Sequence, residues 1–151
     1  PAFAGSNSIY LTRFYNEMAK ANYSLGKLDE AIENLKIAFN VNENEDFLLD
    51  PKGSTHYEAP FEEFENSCRC ASLIYFKMGD YKNSIKYSKK EIQVGENYCP
   101  LGIAYNPRLL IIVCYLLLGN SREAKKYLTE VETKCPEIVK KKRAMIDELL
   151  I

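Results

Sequence analysis

A short pattern occurs three times along the chain and limits what the chain can fold into. Each copy is an apolar run at helical spacing, then a Gly and a polar start, then a second amphipathic run; the three Gly residues are Gly26, Gly79 and Gly119. Gly at this place ends a helix because it adopts the left-handed conformation without steric cost. Repeated helix–turn–helix units predict a helical solenoid, in which hairpins bury their apolar faces against their neighbours.

Apolar residues at three- and four-residue spacing predict about seven helices, and no alternating strand pattern competes with them. The first helix is expected to begin after Ser8, a favourable N-cap. Pro60 and Pro107 are expected in the first turns of the third and fifth helices, and Pro136 at the start of a seventh. The helical pattern is interrupted over residues 42–59 and 95–106. The cleanest apolar stripe belongs to the second helix and consists of Leu28, Ala31, Ile32, Leu35, Ala38 and Phe39.

These residues resemble the tetratricopeptide repeat family, which combines small residues at the helix crossing with a Gly at the turn. The first copy carries Tyr15, Met18, Ala19, Gly26, Leu28, Ala31, Leu35 and Ala38 at the family's positions. The second carries Ala71, Tyr75, Gly79 and Tyr81, and the third Tyr115, Gly119, Ala124, Leu128 and Pro136. The resemblance covers about residues 9–136 and implies an all-α fold, a right-handed α–α superhelix of about seven helices.

The domain organisation follows from the spacing of the copies. The Gly residues lie 53 and 40 residues apart, whereas a standard repeat of this family has 34 residues, so the chain carries two insertions between repeats. We expect a disordered or cloning-derived lead at 1–8 and a single domain at 9–151. Its repeats are expected at about 9–45, 60–96 and 105–136, and a capping helix at 137–151.

The resemblance implies a protein–protein interaction role, because the first helix of each repeat lines the concave face in this family. The implied partner-binding residues are Arg13, Asn16, Lys20, Tyr23, Asn66, Arg69, Leu73, Phe76, Lys77, Asn106, Leu109 and Val113. This surface is basic and aromatic at one end and apolar at the other, which favours a protein or peptide partner with acidic and apolar residues. Leu109, Val113 and Leu116 fit either a groove or packing on the seventh helix.

Some members of the family bind the C-terminal tails of chaperones through cationic side chains that hold the terminal carboxylate. The matching positions here are Asn16, Lys20, Cys70, Asn106 and Leu110. Only Lys20 is basic, and a shortage of cationic donors weakens carboxylate capture. The sequence therefore predicts that the chain does not bind chaperone C-terminal tails.

Composition excludes several other partners. The net charge is −1, whereas nucleic-acid binding needs an excess of Lys and Arg on one face. No apolar run of 18 residues is present, so no membrane span is predicted. The odd set of five Cys does not suit a disulfide framework, and we expect reduced thiols in a cytoplasmic protein.

Catalytic patterns are not apparent in the sequence. His56 is the only His, Cys68 and Cys70 lack a second pair at zinc-site spacing, and the Gly residues are isolated. A Cys68–His56 nucleophile pair is the one conceivable arrangement. We expect no enzyme and no cofactor.

Two functional hypotheses remain. The first is an interaction module, with a scaffold or adaptor role, that binds a peptide or helical segment in the concave groove. The alternative is a regulatory sensor domain, similar to bacterial peptide-pheromone receptors, that binds a short signalling peptide and controls an attached effector. A DNA-binding or catalytic segment elsewhere in the protein favours the sensor.

Two charged segments also allow more than one interpretation. The acidic stretch Asn42–Asp50 contains three apolar residues and is either a solvated loop or a docking segment. The basic run Lys140–Arg143 is either the solvated face of the capping helix or a contact for an acidic partner or membrane surface.

Overall fold

The computed structural model describes residues 4–43, 58–98, 105–137, 139–141 and 143–144. Over these residues the chain is helical apart from short turns, and they contain no β-strand. The helices are α1 (Ala4–Ser24), α2 (Leu28–Glu43), α3 (Glu58–Lys77), α4 (Tyr81–Tyr98), α5 (Tyr105–Leu117) and α6 (Ser121–Lys134). Helical residues also occur within 136–144, where the capping helix is predicted. None of the described helices is long and apolar enough to cross a membrane.

The three predicted turns are confirmed as helix reversals. Gly26, Gly79 and Gly119 have φ values of +76°, +81° and +76°, which is the left-handed conformation that favours Gly. At each turn the next helix begins at once. The side chain of Asp80 accepts a hydrogen bond from the Asn83 backbone N–H at 3.2 Å, and that of Asn120 accepts one from Glu123 N–H at 3.2 Å. These N-caps satisfy amide groups that the first helical turn leaves unpaired.

The helices pack as three antiparallel hairpins, α1–α2, α3–α4 and α5–α6, stacked in chain order. The first two hairpins contact each other through α1 with α3 and α2 with α3, and the third contacts the second through α4 with α5. This arrangement confirms the predicted all-α, tetratricopeptide-like solenoid. The pair α3 and α5 is not among the well-packed pairs, so the first helices of the second and third hairpins do not form one continuous wall.

Small residues make the close helix contacts possible. Ala31, Ala71 and Ala124 are at most 1% exposed, and each lies in an apolar cluster at a helix crossing. The largest cluster joins the first two hairpins around Leu35 and Ile74. A second cluster in the third hairpin surrounds Ile112, Leu128 and Val131 and includes Val139 from the capping region; a third joins α4 to α5 through Ile85 and Ile111.

Several predicted helix boundaries are corrected. α1 begins at Ala4 rather than after Ser8, because a formed helix extends by one hydrogen bond per added residue and tolerates small polar residues. α4 continues through Gly95, which was predicted to start a break, and ends at Tyr98. One Gly within a helix costs only about 1 kcal/mol. Pro60 and Pro107 lie in the first turns of α3 and α5, as predicted.

Some predictions concern residues outside the described ranges. These include the interpretation of His56, most of the acidic stretch at 42–50, and Cys99. Only Asn42 and Glu43 of that stretch are described, and they form the end of α2.

Candidate partner-binding site

A concave pocket of about 330 Å³ lies between α1 and α3. Its lining residues come from the last two turns of α1 and the middle of α3: Lys20, Tyr23, Ser24, Asn66, Arg69, Cys70, Leu73 and Ile74. Five of them belong to the predicted partner-binding set, namely Lys20, Tyr23, Asn66, Arg69 and Leu73. The structure therefore brings together five of the nine predicted residues of the first two repeats, and Arg13, Asn16, Phe76 and Lys77 do not line the pocket. We call this site the α1–α3 pocket.

A buried polar contact holds the two walls of the pocket together. The Asn16 side-chain amide donates to the backbone carbonyl of Glu63 at 3.1 Å, and its oxygen accepts from Ser67 Oγ at 2.7 Å. Arg13 Nε donates to Glu63 Oε1 at 2.9 Å. Asn16 is only 1% exposed, so it orients α1 on α3 and does not face a partner. The family resemblance implies a place in the groove for Asn16, but no local sequence pattern identifies its hydrogen-bond partners on α3.

Arg69 is fixed at the pocket by three hydrogen bonds. Its Nε donates to Glu91 Oε1 at 2.7 Å, one terminal nitrogen to Asn66 Oδ1 at 3.2 Å, and the other to Glu65 Oε1 at 3.1 Å. A guanidinium has five N–H donors, so two of them remain without an acceptor among the described residues. The Arg69 side chain is 51% exposed. It therefore presents a fixed cation with free donors to the pocket.

The carboxylate behind Arg69 is buried. The Glu91 side chain is only 4% exposed, and burial raises its pKa, although the hydrogen bond and charge of Arg69 oppose that shift. Burial also raises the pKa of Glu65, with Arg69 acting in the opposite direction. Neither Glu63 nor Glu91 was predicted to matter. The helical spacing of Glu65 and Arg69 was the one sequence signal that this cation is anchored.

The other wall of the pocket adds a second cation. Lys20 forms an exposed pair with Glu17 at 3.0 Å, and this hydrogen bond raises its pKa. Exposed pairs of this kind are weak and exchange readily for another anion. Next to Lys20, the thiol of Cys70 has a pKa raised by burial, which outweighs the opposite effect of the Lys20 charge. The thiol is therefore neutral at physiological pH. It forms a small, polarisable part of the pocket lining and is a poor nucleophile.

The floor and rim of the pocket are apolar. Leu73 is 44% exposed, although it lies in the middle of α3, and Ile74 and Tyr23 belong to or pack on the largest core cluster. Lys77 Nζ lies 6.0 Å from the centre of the Tyr23 ring. An exposed Leu beside two cations provides contacts for an apolar side chain that has a carboxylate close to it.

The predicted residues of the third repeat do not join this pocket. Leu109 packs on the cluster that contains Ile112 and Val139; Val113 is half-buried and Asn106 is exposed near the start of α5. Leu116 packs on the same cluster as Leu109. Leu109 and Leu116 thus pack on a cluster formed by α5, α6 and Val139 of the predicted capping region, because α5 packs on α4 and α6 rather than on α3.

Phe76 is also placed differently from the prediction. It packs on the cluster around Ile85 and Ile111, and its ring centre lies 5.5 Å from that of Tyr81. This aromatic side chain is therefore part of the contact between the second and third hairpins.

A larger concave region of about 600 Å³ lies on α4, α5 and α6. It surrounds Arg108, whose side chain is 6% exposed and whose Nη2 bonds Glu96 at 2.6 Å and Glu130 at 3.1 Å. At its edge Lys126 pairs with Glu123 at 2.8 Å. These charges already compensate one another, so the region offers little net attraction to a charged partner. The α1–α3 pocket is the better candidate despite its smaller volume.

The described residues offer no metal centre: they contain no group of three or more His, Cys, Asp or Glu side chains placed to hold an ion. Cys68 is fully buried, and burial raises the pKa of its thiol. A thiol in this environment is a poor nucleophile.

Comparison with known proteins supports the interpretation of the hairpins. The sequence profile of the tetratricopeptide repeat family matches residues 12–45 and 71–93. The first match covers most of α1 and all of α2, and the second covers the end of α3 and most of α4. No curated protein and no solved structure matches the chain significantly. Repeats of this family generally mediate protein–protein interactions. These matches support the resemblance drawn from the sequence, and over the matched residues the first two helical hairpins are similar to tetratricopeptide repeats.

Proposed function

We propose that this chain is a scaffold or adaptor module that binds an acidic–apolar peptide or helical segment of a partner protein in the α1–α3 pocket. The observation that carries the proposal is the convergence of two cations and an exposed Leu on one concave site. Lys20 comes from α1, whereas Arg69 and Leu73 come from α3. Two neighbouring repeats thus supply one binding surface, which is the usual way in which solenoids build concave sites.

The chemistry of the pocket favours a carboxylate next to an apolar side chain. Arg69 has two uncommitted N–H donors among the described residues and is held in position by Glu91 and Glu65. A pre-positioned guanidinium loses little side-chain entropy when it binds a carboxylate. Leu73 provides apolar area that an aliphatic or aromatic side chain of the partner can cover. Lys20 and Lys77 add positive charge around that contact, which increases the association rate with an acidic partner.

The same geometry argues against chaperone C-terminal tails. Of the positions that correspond to a carboxylate clamp, Asn16 is buried against α3 and Cys70 is a neutral thiol. Lys20 alone remains as a cation. We expect a peptide ending in the chaperone motif EEVD to bind no more tightly than its scrambled form.

The regulatory-sensor hypothesis uses the same pocket and differs in what is attached to the chain. It remains a hypothesis that the full-length sequence tests.

The charge preference can be tested with three fluorescent peptides that share length and apolar positions. Their polar positions are all Glu, all Lys or all Ser, and binding is followed by fluorescence anisotropy. We expect the Glu peptide to bind most tightly and Lys20→Glu to weaken it by about tenfold, since that change corresponds to the ~1.4 kcal/mol of one favourable charge contact.

Lys36→Glu is the matched control. Lys36 lies on α2, is 63% exposed and pairs with Glu33 at the same three-residue spacing as Lys20 with Glu17. Lys36→Glu changes the net charge by the same amount as Lys20→Glu, but Lys36 lies outside the pocket. Equal losses in the two variants, or a Lys peptide that binds as tightly as the Glu peptide, would contradict the proposal.

A further inference from the structure

The outward face of α4 carries a row of four lysines. Lys82, Lys86 and Lys89 are exposed, and Lys90 is half-buried. At about 100° per residue, the four side chains lie within a sector of about 100° of the helix, roughly opposite the fully buried Ser88. We call this surface the α4 lysine stripe.

The charge of the α4 lysine stripe is not compensated. None of its four lysines forms an ion pair with another of the described residues. α4 contains two acidic residues, and both bind other cations: Glu91 binds Arg69, and Glu96 binds Arg108. Three exposed lysines of other helices instead pair with a Glu three residues away, namely Lys20, Lys36 and Lys126. Lysines four residues apart repel one another on a helix, so a bound anion would relieve the repulsion within the stripe.

Tyrosine rings position three of the four ammonium groups. Lys86 Nζ and Lys90 Nζ lie 5.4 and 5.5 Å from the centre of the Tyr87 ring. Lys89 Nζ lies 5.6 Å from the centre of the Tyr115 ring and donates a 3.0 Å hydrogen bond to its hydroxyl. Such contacts hold a cation at a ring, and a side chain that is already positioned loses less entropy when it binds a partner. The stripe is therefore a partly ordered array of positive charges.

The surroundings of the stripe favour an acidic polypeptide over a nucleic acid or a membrane. The stripe contains no Arg, the residue that binds phosphate in a bidentate manner. The Tyr87 ring is already stacked on Phe39 and Tyr75, with ring centres 5.1 and 5.6 Å away, so it offers no open face on which a base could stack. Within the described part of α4, no large apolar side chain is strongly exposed, so this face has none to insert into a bilayer.

The spacing of the stripe fits an extended chain. Lys82, Lys86 and Lys90 follow one another at a rise of about 6 Å, which is four residues at 1.5 Å each. Alternate side chains of an extended segment lie about 6.6–6.8 Å apart on one side, and flexible lysine side chains accommodate the small difference. A helical partner would instead need an apolar stripe to pack on, which this face does not provide.

We propose that the α4 lysine stripe binds an extended, acidic segment of a partner protein that carries Asp or Glu at alternate positions. The stripe shares no residue with the α1–α3 pocket and is a second, separate site. Exposed charge pairs are individually weak and are screened by salt. The contact is therefore weak, exchanges rapidly and weakens as the salt concentration rises.

An NMR titration of the ¹⁵N-labelled whole chain with two serine peptides tests the proposal. Both contain three Glu residues, at alternate positions in one peptide and at every third position in the other. At about 50 mM salt, where charges are little screened, we expect saturable shifts of the α4 amide signals around Lys86. The alternating peptide should bind about threefold more tightly, since the other spacing loses one charge pair.

Two charge reversals provide the matched comparison. Lys86→Glu should weaken the alternating peptide at least about tenfold, because an attraction becomes a repulsion at the centre of the stripe. Lys125→Glu is the control: Lys125 lies on α6, is exposed and has no ion pair among the described residues, and we expect an effect below about twofold. Circular dichroism of both variants checks that helicity is retained.

Several results would overturn the proposal. One is the absence of binding, whether the stripe is merely solvated or is covered by another acidic segment of the chain. Others are equal effects of the two variants, equal affinity of the two peptides, or shifts centred on Lys20 and Leu73, which would place the peptide in the α1–α3 pocket. A thymidine oligonucleotide or anionic vesicles that bind more tightly than the peptide, and lose that binding in Lys86→Glu, would overturn the choice of a protein partner.

Discussion

Arg69 Nε donates a 2.7 Å hydrogen bond to Glu91 Oε1 and so links the exposed face of α3 to the buried side of α4. The two side chains differ in environment, since that of Arg69 is 51% exposed and that of Glu91 is 4% exposed. The Arg69 guanidinium is thus positioned by a carboxylate that is buried away from water. This difference makes the effects of removing the two partners unequal.

Loss of Arg69 is expected to be more damaging than loss of the Glu91 charge. Arg69→Met leaves a buried carboxylate without its charged donor, which costs about 1–3 kcal/mol. Glu91→Gln leaves a half-exposed guanidinium that water can solvate, so the free energy of unfolding should change by less than about 1 kcal/mol. Urea unfolding at neutral pH measures both. A larger loss for Glu91→Gln than for Arg69→Met would show that the pair is not organised in this way.

The raised pKa of Glu91 predicts a pH effect of defined sign. The folded state binds a proton on Glu91 more tightly than the unfolded state, whose pKa is near the ordinary value of 4.5. This group therefore stabilises the fold most fully below pH 4.5, and that contribution is lost as pH rises through the folded pKa. The melting temperature of Glu91→Gln minus that of the original chain should therefore be larger at neutral pH than at acidic pH. A melting-temperature difference that is the same at both pH values would be inconsistent with the raised pKa.

Asn16 is expected to support stability rather than partner binding. Asn16→Ala removes the acceptor of Ser67 Oγ and a donor to Glu63 O in a buried place, which should cost about 1–3 kcal/mol. Asn34→Ala is the matched control, since Asn34 on α2 makes a 3.0 Å bond to Glu30 O in an exposed place, and it should change the free energy of unfolding by less than about 0.5 kcal/mol. Peptide affinity, measured below the melting temperature, should be unchanged in both. Loss of peptide affinity in Asn16→Ala without loss of stability would instead indicate that Asn16 belongs to the binding surface.

Two Gly→Ala substitutions should have opposite effects. Gly79 has φ +81° and closes the second turn, so an Ala there is strained by about 1–2 kcal/mol. Gly95 lies inside α4, and an added Cβ would meet Glu65 Oε2 at 3.5 Å, an ordinary contact. Gly95→Ala should stabilise the chain by up to about 1 kcal/mol through helix propensity. Thermal melts of the two variants show whether each substitution lowers or raises the stability. Destabilisation of similar size in both would contradict the helical assignment of Gly95.

The sequence was sufficient to predict the architecture because the fold depends on local signals. Gly26, Gly79 and Gly119 each mark a reversal through backbone sterics alone, and Asp80 and Asn120 mark helix starts through side-chain capping. The boundary errors at Ser8 and Gly95 have one cause. Helix propagation overrides a single weak stop signal once a helix has formed, and the sequence does not show how far it extends.

The candidate site was predictable only in part because it depends on contacts between distant segments. Lys20 and Leu73 were found because the family resemblance places them on first helices of repeats, which line the concave face in that family. The roles of Asn16 and Glu91 depend on residues about 50 and 22 positions away, and no local pattern identifies them. Leu109 and Phe76 were misplaced for a related reason: apolar residues of a first helix look the same whether they face a groove or a neighbouring hairpin.

The most direct test of the α1–α3 pocket is a methyl NMR titration of the chain, labelled at Leu and Ile methyl groups, with the acidic member of the peptide series. Leu73 and Ile74 line the pocket, whereas Ile37 is exposed on α2 outside it. We expect saturable shifts of the Leu73 and Ile74 signals, with the Ile37 signal unchanged. Saturable shifts of other methyl signals, with the Leu73 and Ile74 signals unchanged, would contradict binding in the α1–α3 pocket.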